Sequence, residues 1–431
     1  MANPKKQLSI TEESIAQFSK SAKEPSWLLN KRLEALELFE TLPIENSPLF
    51  KKYAASLEID LDKKQLQTQI QNLPAIDGIT ILPISKAIQS QEKLIRQYFD
   101  KAPDNKYSAL NLATFTGGYF INIPKNTAIE LPISLLNSPE NLPFIATKNL
   151  IIAKESSSFT LTEENYSHSQ KGALISSSTI AHAKENASIS LNYINSFNEK
   201  SAFICEKEIL LEKNAKSFSS SGYFGGKQII SSQNTIMQGE QSFGEDYGVI
   251  FGSDSERYSI TSNITNLGKN SKGKVVSKGV YRDGSKGLFK GMATIGKDAK
   301  NSISYLAGHS ILLGKNSSSD AIPGLKIDTN DVKATHSASI AQIDEAQLFY
   351  LMSRGLSLDD ANKLVVEGFL SPVLSQIKLK AVAYRIRALF ELMWERKPFA
   401  QLHERLEGIS KDESHSIEKK DLFEGHYKYR K

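Results

Sequence analysis

The chain has 431 residues, 40% of them hydrophobic, which is enough for two or three domains with buried cores. Its 53 basic and 48 acidic residues give a formal net charge of +5 without a long basic run, which argues against nucleic-acid binding. There is no signal-peptide-like apolar stretch and no run of about eighteen apolar residues, so we expect a cytoplasmic protein that does not enter a membrane.

Two segments near the amino terminus predict helices at residues 11–20 and 27–41. In the second segment, Leu29, Leu33 and Leu36 recur at helical spacing and form one apolar face. We expect these helices to cover an open end of the domain that follows.

The middle of the chain, from about residue 120 to 320, repeats one phrase: an apolar residue, any residue, lysine, and then asparagine, glutamate or aspartate. The phrase occurs around Lys125, Lys154, Lys184, Lys213, Lys269, Lys297 and Lys315. The first three intervals are 29, 30 and 29 residues, the fourth is 56 with a degraded copy near its middle at 237–242, and the last two are 28 and 18. A period near 29 residues is typical of a stacked repeat.

Each repeat supplies a polar turn followed by a strand with alternating faces, as in Ala187, Ile189 and Leu191. One such unit cannot bury its apolar face alone, whereas stacked units give every strand two neighbours. The repeat therefore predicts a β-solenoid. A β-sandwich built from regular hairpins is the alternative.

The only cysteine, Cys205, excludes an intrachain disulfide and a multi-cysteine metal site. It lies in a strand-like segment, 202–206, where a small buried thiol is the ordinary interpretation. The alternative is a cluster or sulfur ligand, which would need ligands from another chain.

Helix signals are strongest near the carboxyl end. Asp344 is placed to cap a helix at 345–354, Gly355 is placed to end it, and Ser357 with Asp360 three residues later begins the next.

Beyond these signals, the spacing of apolar residues predicts one long helix at 373–396 that begins after Pro372. The polar tail from 397 to 431 is predicted to be flexible. Its aromatic and basic end, 425–431, either docks on a partner or is simply solvated.

The segment 322–370 resembles the carboxy-terminal signature of the SufB/SufD family. The motifs that carry this resemblance occur in one order: Pro323-x-Leu325-x-Ile327, Asp331-Val332-Lys333, His336, Ile343-Asp344, Leu348-Phe349-Tyr350-Leu351, Ser353-Arg354-Gly355 and Glu367-Gly368-Phe369. Two earlier stretches also look like the family: Glu24-Pro25-Ser26-Trp27-Leu28 and Gly117-Gly118-Tyr119-Phe120.

The resemblance implies a mainly β protein, a right-handed parallel β-helix flanked by helical regions. The limits that we predict are 1–105 for the N-terminal helical region, 106–342 for the β-helix core, 343–398 for the C-terminal helical domain and 399–431 for the tail.

The departures from the family pattern favour a SufD-type over a SufB-type chain. Ala334 stands where many SufD-type chains have a cysteine, and Leu351 stands where SufB-type chains tend to have one. The resemblance implies that His336 lies near the SufB–SufD junction and takes part in building a nascent cluster. His336 is therefore our candidate cluster-assembly residue and our tentative metal ligand.

No nucleotide-binding motif of the GxxxxGK[ST] type occurs, so we expect ATP to be handled by another subunit. The resemblance implies that this chain is a non-enzymatic scaffold. The resemblance implies two partners, a SufB-type chain and a SufC-type ABC ATPase, with Met352, Arg354 and Leu356 as candidate ATPase contacts. These residues would otherwise only pack the helical cap. We expect no stably bound cofactor on this chain alone, only a transient iron–sulfur cluster or iron in the complex.

Two other functions remain open at the level of sequence. The chain could form a homodimeric scaffold without a SufB-type partner, or it could be a β-helix protein that binds or cleaves polysaccharide. Because residues 322–340 follow the last repeat, their strands should have an unpaired edge on which a partner's strands continue the sheet. We expect the N–H of Val332 to donate across that junction.

Overall fold

The computed structural model describes residues 10–43, 74–138, 142–167 and 171–401. Two sheets form the core. The first contains nine strands, in the order β1 (Thr80–Pro83), β2 (Tyr119–Ile123), β4 (Phe144–Ala153), β6 (Leu174–Ala183), β8 (Ala202–Leu211), β10 (Gln228–Met237), β12 (Arg257–Asn266), β14 (Lys286–Ile295) and β16 (Ser318–Ile327). The second contains eight: β3 (Ile133–Asn137), β5 (Ser158–Ser167), β7 (Ser188–Phe197), β9 (Lys216–Gly225), β11 (Phe243–Gly252), β13 (Lys272–Arg282), β15 (Ile303–Leu313) and β17 (Lys333–Gln342).

The chain alternates between the two sheets, so each coil contributes one strand to each. All the pairs are parallel except β1 with β2, which is antiparallel. This arrangement confirms the predicted parallel β-solenoid and shows that the β-sandwich alternative is wrong. Buried apolar side chains from both sheets, such as Ile151, Leu191 and Leu306, fill the interior.

The repeated lysine phrase marks the turns that lead from the first sheet to the second. In these turns from the first sheet to the second, seven described residues adopt a left-handed conformation with φ between +55° and +60°: Asn126, Ser156, Asn186, Asn214, Gln241, Asn270 and Asn301. The N–H of each donates to a carbonyl of the next coil at 2.6 to 2.9 Å, so the turns stack in a hydrogen-bonded ladder. Asparagine tolerates this conformation better than most residues, which explains its recurrence.

Lys315 does not belong to that ladder. It lies in the turn between β15 and β16, which leads from the second sheet back to the first. The interval of 18 residues before it is therefore not a shortened repeat. The turn that continues the series falls at 328–332, between β16 and β17.

Within the described residues, five helices precede or interrupt the first coils. They are α1 (Glu12–Ser21), α2 (Ser26–Thr41), α3 (Ile84–Ser90), α4 (Glu92–Phe99) and α5 (Lys106–Thr114). Both helices predicted near the amino terminus are confirmed. The apolar residues of these helices pack with Phe144, Leu174 and Ile204 against the outer face of the first sheet. The helices therefore cover a face of the solenoid, and the expectation that they cover an open end is wrong.

Arg32 links α2 to the segment before it and to the end of α5. Its guanidinium, 1% exposed, donates to Glu24 at 2.7 Å and to the carbonyl of Phe115 at 2.8 Å. A buried ion pair of this kind is strongly destabilising to break, because the remaining partner would keep an uncompensated charge.

In the part of the chain described after β17, up to residue 401, there are three α-helices: α6 (Glu345–Ser353), α7 (Leu358–Leu374) and α8 (Lys380–Trp394). The predicted caps are confirmed, since the N–H of Ala346 donates to Asp344 at 2.9 Å and that of Asp360 donates to Ser357 at 3.1 Å. Gly355, with φ of +96°, ends α6 as predicted.

The predicted single helix at 373–396 is wrong. Helix α7 runs through Pro372 and ends at Leu374, and α8 begins separately at Lys380. Pro372 lies in the last turn of α7, and the burial of Val366, Leu370 and Val373 holds that turn against the second sheet. Tertiary packing thus outweighs the low helix propensity of proline.

Within residues 345–401, the C-terminal helices cover a face of the solenoid and leave its carboxyl end open. Helix α8 packs on β7 and β9, and α7 packs on β11 and β13. Arg282 of β13 donates to the carbonyl of Trp394 at 3.1 Å, and Arg396 pairs with Asp283 at 2.9 Å. Cations at a helix carboxyl end satisfy its free carbonyls.

Among the described residues, no helix combines the length and apolar character needed to cross a bilayer. The four predicted domain limits remain predictions. Residues 402–431, most of the predicted tail, lie outside the described residues.

Candidate interface at the open end of the solenoid

Strands β16 and β17 end their respective sheets, and in the described chain no further strand pairs with either. The N–H of Ser318 donates to the backbone carbonyl of Ser285 at 3.2 Å, and the N–H of Lys333 donates to the backbone carbonyl of Ser302 at 3.0 Å, both in the preceding coil. In a parallel ladder, alternate residues direct their N–H and C=O to opposite neighbours. Odd-numbered residues of β16 and even-numbered residues of β17 therefore present free backbone groups at the open end.

The two free edges differ in their donors. Pro323 falls at a position of β16 whose backbone groups point towards the open end, which we call an outward position. Because proline has no N–H, this edge lacks a donor near its middle. Strand β17 has no proline and keeps a full outward set on Ala334, His336, Ala338 and Ile340. The second sheet therefore offers the better edge for a partner strand.

Apolar side chains flank these edges. On β16, Ala321 is in register with the buried Phe289, and Ile327 with Ile295. Ile327 belongs to the row that fills the interior in earlier coils, yet it is 42% exposed because no coil follows. Ile340 of β17 is 40% exposed at a corresponding inward position.

The side chain of His336 lies in the row of β17 that faces the solenoid interior, while its backbone N–H points towards the open end. It is in register with Leu306, which is fully buried in the previous coil, whereas His336 itself is exposed. Its imidazole is thus presented at the open end, on the strand whose N–H groups are free. Ala334 lies two residues earlier in the same row and brings no thiol there.

The structure does not bring Cys205 and His336 together. Cys205 lies on β8, four strand spacings before β16, which corresponds to about 19 Å along the axis. Its side chain is 4% exposed, and burial raises the pKa of the thiol to about 12. The predicted burial of this thiol is confirmed. Among the described residues, histidine, cysteine and acidic side chains form no cluster of three that could hold a metal.

The segment around Val332 departs from our expectation. The N–H of Val332 donates to the carbonyl of Asn330 at 3.0 Å, within the turn between β16 and β17. It therefore does not donate across the junction. Ala338, in the middle of β17, has the outward N–H that was expected of Val332.

Helices α6 and α7 expose an unusual amount of apolar surface. No residue of α6 is buried. Of the predicted ATPase contacts, Met352 is 44% exposed, Arg354 is exposed and stacks on Tyr350 at 5.2 Å from the ring centroid, and Leu356 is half-buried. Leu351, at the family's cysteine position, is also half-buried.

The sequence placed the ATPase contact on residues 345–354 and 357–369 but did not single out the most exposed members of this surface, which are Phe349 (75%), Tyr350 (57%), Leu358 (52%) and Leu364 (44%). We call these four residues, with Met352, the helical apolar surface. The available signal was the run Leu348-Phe349-Tyr350-Leu351, which is apolar around much of a short helix and thus larger than one packed face requires.

Comparison with known proteins agrees with these features. The sequence profile of the family described as "SUF system FeS cluster assembly, SufBD core domain" matches residues 135–369. The chain is 27% identical over 427 residues to the protein named iron-sulfur cluster assembly protein SufD of Bacillus subtilis (strain 168), covering 89% of this chain and 98% of that protein. It is 25% identical over 426 residues to an iron-sulfur cluster assembly SufBD family protein of Staphylococcus saprophyticus, covering 86% of this chain and 90% of the relative.

The profile covers more than half of the chain, from β3 into α7. The alignment to SufD extends over almost the full length, and the motifs at residues 322–370 lie on the open end and the helices that follow it. The protein therefore belongs to the SufB/SufD family of the SUF system.

Proposed function

We propose that this protein is a non-catalytic scaffold subunit of a cytoplasmic SUF-type complex that assembles iron–sulfur clusters. In this proposal it pairs with a SufB-type chain through the open end and binds a SufC-type ATPase through α6 and α7. The observation that carries the proposal is the free edge of β17, which bears His336, at the carboxyl end of the solenoid in the described chain.

The free edge supports pairing with another solenoid. Its outward N–H groups match the carbonyls of an equivalent edge strand, and the exposed Ile327 and Ile340 would be buried by a coil stacked on the end. Another chain of the same fold supplies both the strand and the apolar row. A SufB-type partner fits this requirement, and it would also supply the thiolates that this chain lacks.

His336 contributes a borderline nitrogen ligand or a proton acceptor at that junction. The cluster is cargo in this proposal: iron and sulfide meet partner thiolates beside His336, and the finished cluster leaves. Since Cys205 is buried about 19 Å away along the axis, it has no part in this step.

ATPase binding is proposed from the helical apolar surface. Exposed aromatic and aliphatic side chains with an adjacent arginine are typical of protein interfaces. Phe349 and Tyr350 are the best anchors because they expose the largest apolar area per residue.

The experiment compares His336→Ala and Cys205→Ser in the reconstituted complex. Each variant is assembled with the SufB-type chain and the ATPase, supplied with iron and a sulfide donor, and followed by cluster absorbance. We expect assembly to be intact in both, cluster yield to fall at least about tenfold for His336→Ala, and Cys205→Ser to stay near wild type. Wild-type yield from His336→Ala, or loss only in Cys205→Ser, contradicts the assignment.

A further inference from the structure

A cavity of about 100 Å³ lies between the α4–α5 connection and the outer face of the first sheet. It is far from the open end, because its sheet wall is formed by β4, β6, β8 and β10. Lys101 and Asp104 lie at its mouth, with side chains 55% and 72% exposed. Its volume corresponds to about three water molecules, enough for a compound of a few heavy atoms.

Lys148 is the least satisfied charged group in this cavity. Its side chain is 8% exposed, and its ammonium makes one long hydrogen bond, 3.3 Å, to the Ser178 hydroxyl. It also lies 5.0 Å from the centroid of the Phe99 ring. An ammonium has three donors, so this nitrogen retains hydrogen-bonding capacity within a cavity open to solvent.

The carboxylates of the same wall are held by other groups. Asn105 donates to Oε1 of Glu206 at 2.6 Å, and Lys101 pairs with Glu208 at 2.8 Å. Lys148, Ser178 and Glu206 occupy one row across three neighbouring strands, so the amine and the Glu206 carboxyl share the face above Ser178.

The environment also sets the protonation of these groups. Burial lowers the pKa of Lys148 to about 8, although Glu206 and Glu208 oppose the shift. At pH 7 about a tenth of the amine is then neutral, against less than about 0.1% for an ordinary lysine. Burial raises the pKa of Glu206, which favours its protonated form.

We propose that Lys148 is a covalent binding site for small neutral aldehydes, which it captures as a reversible imine inside this cavity. Cavity size limits the substrate to a few heavy atoms, and the carboxylates of the wall exclude anionic carbonyl compounds. An iminium keeps the positive charge that balances Glu206 and Glu208. Acylation or carbamate formation would remove that positive charge from beside two acidic side chains.

The reaction balances with the groups present. The neutral Nζ attacks the carbonyl carbon, a C–N bond forms, and the carbonyl π electrons move to oxygen, which takes a proton from nitrogen to give a carbinolamine. The C–O bond then breaks, and the hydroxyl leaves as water with a proton from Glu206. An iminium beside a Glu206 carboxylate remains, and hydrolysis reverses each step.

The test uses the wild-type full-length protein. It is incubated at pH 7 with propanal or with anionic glyoxylate, reduced with cyanoborohydride, and digested for quantitative mass spectrometry of each lysine. We expect propanal to label Lys148 at least about tenfold faster than the exposed Lys20 and Lys300, because its neutral fraction is larger. Glyoxylate should not label it, and labelling of Lys148 should level off above about pH 8.

Two controls keep the result specific. Lys207 is more deeply buried, at 3% exposure, and its ammonium donates to the Ser221 hydroxyl at 2.8 Å inside the solenoid, so it should remain unlabelled until urea unfolds the protein. Glu206→Gln should slow labelling of Lys148 alone. Labelling of Lys148 no faster than of Lys20 and Lys300, or only after unfolding, overturns the proposal, and this readout does not depend on any variant folding.

Discussion

Proline at position 338 should separate the pairing role of β17 from its role in the fold. The N–H of Lys333 donates to Ser302, so by alternation the N–H of Ala338 points away from β15 and towards the open end. Ala338→Pro removes that donor and places a ring where a partner strand would lie. The hydrogen bonds to β15 are untouched, so the free energy of unfolding should change by no more than about 0.5 kcal/mol.

The effect on association follows from one lost bond across the junction. The lost hydrogen bond is worth about 1 kcal/mol net, and a partner carbonyl left buried without a donor adds about 1 to 2 kcal/mol. A loss of about 2 to 3 kcal/mol raises the dissociation constant about 30- to 150-fold. Ala338→Ser, which keeps the N–H, should leave association unchanged.

Sedimentation velocity with the SufB-type chain of the same organism measures the dissociation constant, and urea unfolding measures stability. Thr335→Pro is the matched stability control, because its N–H points towards β15 and its loss should lower the free energy of unfolding by about 1 kcal/mol or more. A folded Ala338→Pro variant that associates with wild-type affinity refutes pairing through β17.

Two further predictions concern the helices and the turns. Phe349→Ser should weaken binding of the ATPase at least about tenfold, because it removes a 75% exposed anchor. The control variant Leu131→Ser, at a 78% exposed site away from these helices, should bind the ATPase normally. Equal binding by both variants in a pull-down titration excludes the helical apolar surface as the ATPase-binding site. Burial raises the pKa of Glu256 to about 8, so between about pH 4.5 and pH 8 the folded state holds a proton that the unfolded state releases. The free energy of unfolding therefore falls as pH rises through this range, by up to about 1.4 kcal/mol per pH unit. Glu256→Gln should remove this part of the slope in urea unfolding at pH 5 to 8, and an unchanged slope counts against the assignment.

The period of the lysine phrase favoured a solenoid over a β-sandwich, because a left-handed turn residue recurs once per coil and asparagine suits that conformation. The parallel β-helix itself was implied by the family resemblance. Reasoning from the repeat also predicted the open end, since no repeat follows Lys315. It misplaced the Lys315 turn, because the phrase reports a tight turn and carries no information on which edge of the solenoid the turn occupies.

Features that depend on three-dimensional packing were not accessible from the sequence. The continuation of α7 through Pro372 depends on burial of Val373 and Leu374 against the second sheet, which propensity does not encode. The exposure of Phe349 depends on which side of α6 meets the solenoid. The cavity at Lys148 depends on the register of three strands, and its only trace in the sequence is that Ser178 follows Lys148 by one repeat.

Hydrogen–deuterium exchange of residues 333–342, with and without the SufB-type chain, tests pairing through the open end most directly. In the free protein the outward amides of Ala334, His336, Ala338 and Ile340 should exchange quickly, while the alternate amides bonded to β15 exchange slowly. The complex should protect the outward set and leave exchange in β3, at the other end of the second sheet, unchanged. Rapid exchange of the outward amides in a complex shown by native mass spectrometry to be intact contradicts the account.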